Sequence, residues 1–138
     1  SSATYNFVYQ IDIPSGNAKK LEFHSNITSD AKSLNFETTA ISEKQFYELS
    51  KQKMNQVSFG KILFDESRNL FWRFSSDPDQ IGKNKVLTIF SEDFKQVREA
   101  SIGEFDFQGF SFIKDGVYHR FINIEDELAF VRFKPEIK

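Results

Sequence analysis

One stretch of this chain occurs twice, and that repetition restricts the fold more than any single residue does. Gly60-Lys61-Ile62-Leu63-Phe64-Asp65 leads through a turn to Phe71-Trp72-Arg73-Phe74. Gly109-Phe110-Ser111-Phe112-Ile113-Lys114 leads through a shorter turn to Tyr118-His119-Arg120-Phe121. Both second segments read aromatic, ring-bearing residue, Arg, Phe. Both continue through a polar loop into a third apolar run, Val86-Leu87-Thr88-Ile89-Phe90 or Leu128-Ala129-Phe130-Val131.

The runs between these landmarks are short and rich in aromatic and β-branched residues, as strands are. Tyr5–Ile13 and Ala18–Phe23 flank Pro14-Ser15-Gly16-Asn17, whose fixed or positive backbone angles make a tight reversal. His24–Asn35 is polar and turn-rich, and Phe36–Ala40 is a candidate short strand. The spacing predicts further strands at Val57–Asp65, Leu70–Ser75, Lys85–Phe90, Gln96–Ile102, Phe107–Ile113, Val117–Ile122 and Leu128–Phe133. Turns fall at Glu66–Asn69, Ser91–Asp93 and Lys114–Gly116, with polar loops at Ser76–Asn84 and Asn123–Glu127. One helix is expected, opened by the capping box Ser42-Glu43-Lys44-Gln45, with Phe46, Leu49 and Met54 forming the face that would dock on a β body.

The first hairpin matches strands three and four of the repeat, Val8–Ile13 lying over Val86–Phe90. The chain therefore reads as half a unit (5–23), a helical insertion (42–54), a whole four-stranded unit (57–102) and three strands of another (107–133). Self-similarity at roughly 45–50 residues is the mark of propeller blades. Leu70, Trp72 and Phe74 alternate with Phe71 and Arg73, so a sheet built from them is apolar on both faces and needs cover on both. The fold expected is all-β with one short helix, in antiparallel four-stranded blades of a partial β-propeller. A chain that starts mid-blade and stops after a third strand reads as the C-terminal part of a longer ring. Such a piece leaves sheet faces and edges open, and is expected to self-associate.

Composition narrows the function classes. In 138 residues, 18 basic and 20 acidic side chains are interspersed for a net charge of −2, which builds no field for nucleic acid. No apolar run approaches the roughly 20 residues of a membrane-spanning helix. Cysteine is absent, so neither a disulfide nor a thiolate metal site can form. Seventeen Phe residues supply the buried area that a charge-rich chain needs. Ser1-Ser2-Ala3-Thr4-Tyr5 carries no targeting signal.

Phe64-Asp65-Glu66-Ser67-Arg68-Asn69-Leu70-Phe71-Trp72-Arg73-Phe74 resembles the blades of six-bladed-propeller proteins from Bacteroidetes. So do Ile89-Phe90-Ser91-Glu92-Asp93-Phe94-Lys95 and Lys114-Asp115-Gly116-Val117-Tyr118, the likeness covering Val57–Phe133. Many members resemble exported lipoproteins with an upstream lipid-anchoring Cys, which implies a periplasmic or outer-surface location for the complete protein. The resemblance implies no reaction and no catalytic residue.

Candidate binding residues are Trp72, Arg73, His119 and Arg120. Arg73 and Arg120 occupy equivalent repeat positions. They either line one channel and grip a carboxylate or sugar, or stack between blades with their donors on protein acceptors, which is the expected role. Trp72 either stacks on a sugar or, as expected beside Phe71 and Phe74, fills the core. His119 takes the Trp72 slot, which favours packing. Neither His24 nor His119 has metal-ligand spacing around it. Asp77-Pro78-Asp79-Gln80-Ile81-Gly82 lacks a side-chain oxygen at Ile81 and a bidentate Glu, since Thr88 stands there, so it reads as a loop rather than a calcium site. Asp65-Glu66, Glu92-Asp93 and Glu125-Asp126-Glu127 read as solvated turn acids.

The sequence points to a non-catalytic module without cofactors that binds a protein or a glycan at the cell envelope. Two rivals stand beside it. One is the last blades of a propeller hydrolase whose active site lies outside this chain; the other is a carbohydrate-binding β-sandwich.

Overall fold

Turns divide the chain into hairpins, and each turn is built from residues that tolerate its angles. The computed structural model describes residues 4–33, 39–78, 84–103 and 109–136. The first hairpin joins β1 (Phe7–Ile11) to β2 (Ala18–Glu22), Ile11 facing Ala18 and Phe7 facing Glu22. Gly16 turns at φ +69, and the Asp12 carboxylate accepts hydrogen bonds from both the N–H and the hydroxyl of Ser15. Beyond β2 the chain folds back, with Tyr5 bridging Ala31 and the Asn6 N–H donating to the Asp30 carbonyl at 2.8 Å.

Helix α1 (Glu43–Met54) begins where the capping box predicts. The Ser42 hydroxyl accepts from the Gln45 N–H at 3.2 Å, and the Gln45 side chain accepts from the Ile41 N–H at 2.8 Å. Among the described residues its expected docking is not seen. None of its residues is buried, and Phe46 and Met54 lie in the open. Of the three apolar residues assigned to its face only Leu49 is partly covered, too narrow a stripe to hold a helix down.

The central sheet is formed by β3 (Ser58–Asp65), β4 (Leu70–Asp77), β5 (Asn84–Phe90) and β6 (Gln96–Ser101), antiparallel and in chain order. A bulge between Phe59 and Ile62, at Gly60-Lys61, bends β3. A third sheet is formed by β7 (Ser111–Lys114), β8 (Val117–Ile124) and β9 (Glu127–Phe133). The β7–β8 turn is the two residues Asp115 and Gly116, at φ 53 and 70, the paired positive angles of a tight hairpin. Asn123–Glu127, expected as a loop, is instead another two-residue turn at Glu125-Asp126, with φ 50 and 66. Two acids in left-handed angles give no glycine signal, so the strands extend further than their sequence announces.

The short strand expected at Phe36–Ala40 falls outside the described residues except for Thr39 and Ala40, which are not in a strand. Asp79–Gly82 and the start of the strand expected from Phe107 also lie outside them. The described residues form three antiparallel sheets of two, four and three strands, with no closed barrel or ring among them.

Alternation along β4 decides how these sheets meet. On one face of the central sheet, Leu63, Trp72, Phe74, Leu87 and Ile89 pack with Tyr118, Ile113 and Phe133 of the third sheet. The Phe74 and Tyr118 rings meet edge to face at 4.8 Å. On the opposite face lie Phe59, Phe71, Arg73, Thr88 and Phe90, and there the Phe23 ring, just past β2, tilts against Phe90 at 4.4 Å. The central sheet is therefore covered on both sides, the first hairpin on one and the third sheet on the other. Trp72, with none of its surface exposed, anchors the second contact. Trp72→Ala is expected to cost about 3–5 kcal/mol in urea unfolding, the usual loss for a buried aromatic. A loss below about 1 kcal/mol would place the ring outside the core.

Candidate functional site

Trp72 and Arg73 are neighbours in sequence but point to opposite faces of the central sheet. Trp72 offers no face to a ligand, since its ring is enclosed between sheets. Arg73 is nearly as enclosed, 1% exposed. Its guanidinium lies 4.7 Å over the Phe59 ring, and Nη1 donates to the Asn6 side-chain oxygen at 3.2 Å. Burial draws its pKa down to about 10, which leaves it cationic at neutral pH. Arg73 thus binds the first hairpin to the central sheet.

That contact belongs to a longer polar seam. Asn6 Nδ2 donates to Asp30 Oδ1 at 3.0 Å, and the Ser25 N–H donates to the same oxygen at 2.8 Å. His24 Nδ1 meets the other Asp30 oxygen. The Ser25 hydroxyl donates to Glu99 at 2.6 Å and the Asn26 N–H to its second oxygen at 2.9 Å, while the Ser29 N–H donates to Asp77 at 2.8 Å. A loop that reads as merely polar in the sequence is a strap across one face of the central sheet.

Arg120 repeats the position of Arg73 in the third sheet. Ile62 faces Arg73 and Ser111 faces Arg120, so the strand pairing of the two hairpins runs in matching registers. Arg120 is buried on the same side of β8 as Tyr118, the side that meets the central sheet. The two arginines therefore sit in different seams. His119 matches Trp72 in register but not in burial. It stacks between Phe112 at 4.9 Å and Phe130 at 5.4 Å, with Phe121 a further 4.8 Å from Phe130. Phe121 and Phe130 are 48% and 49% exposed, so this ladder of rings faces outward.

The structure thus divides the four candidate residues. Trp72, Arg73 and Arg120 are held within seams, and His119 alone lies on an open face. Asp65 is a residue the sequence reading misjudged. Expected as a solvated turn acid, it is fully buried, accepting from the Ser67 hydroxyl at 2.7 Å with the Arg68 guanidinium 3.9 Å away. Its position as the last residue of a strand, two before a hydroxyl and three before an Arg, was the available signal. Asp93 does lie in the open, held down to about 2 by Lys95 and by the Ser91 hydroxyl, and is an ionised turn acid. Among the described residues no three His, Asp or Glu side chains gather as metal ligands.

Burial acts to raise Asp30, but hydrogen bonds from Asn6, the Ser25 N–H and His24 outweigh it and hold the carboxyl below its ordinary value. A carboxyl depressed in the folded state contributes stability that is present above its unfolded pKa and disappears as the pH falls through the folded one. Asp30→Asn is therefore expected to flatten the decline of the melting temperature between about pH 5 and pH 2. Parallel curves for variant and parent would show that the strap carries no linked proton.

A family model described as a domain of unknown function, DUF4221, matches residues 1–101. The chain is also similar to the crystal structure of a DUF4221 family member from Bacteroides vulgatus, with a TM-score of 0.63 at 14% sequence identity. The likeness covers 98% of this chain and 42% of that one, so the chain spans less than half the length of that relative. At this identity the similarity speaks for the fold alone. No curated protein matches.

Proposed function

The chain belongs to the DUF4221 family, a domain of unknown function, and on that footing we propose that its three sheets are consecutive blades of a β-propeller acting as a non-catalytic binding module. One observation carries this reading. Arg73, Arg120 and Asp65 are buried within the stack, while Tyr9, Phe121 and Phe130 stand exposed on its outer faces. A guanidinium over a phenyl ring between two sheets joins layers and is shielded from substrate. Open aromatic faces serve recognition instead, because they offer much apolar area at little cost in side-chain freedom.

The matching registers of the two hairpins support the propeller part of the reading, since each blade of such a fold repeats the one before. The ligand is a protein or a glycan, and the resemblance to exported lipoproteins supports a place at the cell envelope. Trp72 has no part in recognition, and a glycan would stack on exposed rings such as Tyr9 or Phe130.

A panel of chromogenic esters, phosphates and glycosides tests the central point. The chain is expected to release no product above buffer. Turnover that vanished with His24→Ala or Asp30→Asn, a histidine–carboxylate pair close in form to a catalytic dyad, would overturn the non-catalytic reading.

A further inference from the structure

The hairpin and the strap that follows it are tied to each other through the backbone. β1 pairs with β2, Tyr5 bridges Ala31, and the Phe23 N–H donates to the Asn6 carbonyl at 2.9 Å. The Lys32 N–H donates to the Thr4 carbonyl, also at 2.9 Å. Residues 4–33 are thereby one piece. Its ties to the central sheet run through side chains of that sheet. Arg73 of β4 donates to Asn6, Asp77 of β4 accepts from the Ser29 N–H, and the Phe90 ring of β5 meets Phe23. Glu99 of β6 engages two strap donors at once, the Ser25 hydroxyl on one oxygen and the Asn26 N–H on the other. The same Ser25 hydroxyl accepts from the N–H groups of Ile27 at 3.1 Å and Thr28 at 2.8 Å. Glu99 therefore grips the point around which the strap is folded. In the register of the central sheet Arg73, Thr88 and Glu99 form one row across β4, β5 and β6, and both ends of that row touch residues 4–33.

We propose that the strap is a latch, and that residues 4–33 open from the central sheet as one flap that uncovers Arg73 while the third sheet stays docked on Trp72. The chemistry of the two seams sets this order. The third sheet is held by a contiguous patch in which Trp72, Phe74, Leu87 and Ile89 pack with Tyr118, Ile113 and Phe133. Opening it returns all of that apolar area to water. The flap contributes Val8 and Phe23 to its seam and otherwise depends on hydrogen bonds. Water replaces those bonds on opening, so each one resists separation only weakly. Opening also rehydrates the Arg73 guanidinium, which is costly to keep buried. Segments held by few apolar contacts open at lower free energy than the molecule as a whole. Because residues 4–33 are joined through their backbone, release at Glu99 is felt along the whole piece.

Glu99→Ala, at a half-buried site, removes the acceptor for two strap donors and tests the latch in the whole chain. Two buried arginines, one in each seam, serve as reporters: Arg73 is 1% exposed and Arg120 is 7% exposed. Both are expected to resist the arginine reagent phenylglyoxal in the parent, with adducts located by mass spectrometry. In Glu99→Ala, Arg73 is expected to react at least about tenfold faster while Arg120 keeps its parental rate. Amide hydrogen exchange of β1 and β2 is expected to quicken together by a similar factor, with β8 unchanged. Should Glu99→Ala fail to fold, the parent in a urea series gives the same comparison. There Arg73 and the amides of β1 and β2 are expected to open at lower urea than Arg120 and the amides of β8. Arg73 and Arg120 accelerating in step would show global unfolding and overturn the proposal. So would an Arg73 that keeps its parental rate in Glu99→Ala. Faster exchange at Asn26 with β1 and β2 still protected would mean that the strap frays alone, and would overturn the flap as well.

Discussion

Side chains one residue apart on a strand point to opposite faces, and in β4 that rule sets Trp72 on one side and Arg73 on the other. A sheet carrying a large ring on one face and a buried cation on the other cannot leave either face to water. The third sheet supplies cover for Trp72 through Tyr118. The first hairpin and its strap supply cover for Arg73 through Asn6 and Phe23. The three-layer order follows from this single alternation.

The two seams are different in chemistry. The Trp72 seam packs mostly rings and aliphatic side chains, Phe74 against Tyr118 with Arg120 buried beside them, and gains mainly from area removed from water. The Arg73 seam is polar and depends on satisfied partners, since a buried guanidinium costs much when its contacts fail. Asn6, Asp30, Ser25 and Glu99 act there as one network, so removing a single member strands the others. The first hairpin should be the more sensitive layer to acid, and the third sheet the more sensitive to loss of side-chain volume.

Much of this was legible in the sequence. Gly16 and Gly116 marked their turns, the capping box marked the helix start, and the two overlaid segments fall in hairpins with matching registers, Ile62 facing Arg73 and Ser111 facing Arg120. Three things were not. The Glu125-Asp126 turn has no glycine, so two strands read short. The helix has an apolar stripe, Phe46, Leu49 and Met54, that no described element covers. The difference between Trp72 and His119, alike in the repeat and unlike in burial, depends on which face has a layer above it. Nothing local to either residue encodes that. Asp65 was misread for a related reason, since a carboxylate in a turn is ordinarily solvated and only the packing around it buries this one.

The central claim is that the central sheet is covered on both faces, by the first hairpin on the Arg73 side and by the third sheet on the Trp72 side. Nuclear Overhauser contacts between aromatic rings test this most directly. Ring centroids stand 4.4 Å apart for Phe23 and Phe90 and 4.8 Å apart for Phe74 and Tyr118, so strong cross-peaks are expected for both pairs. Absence of either pair in a folded sample would remove one layer from the stack and contradict the account.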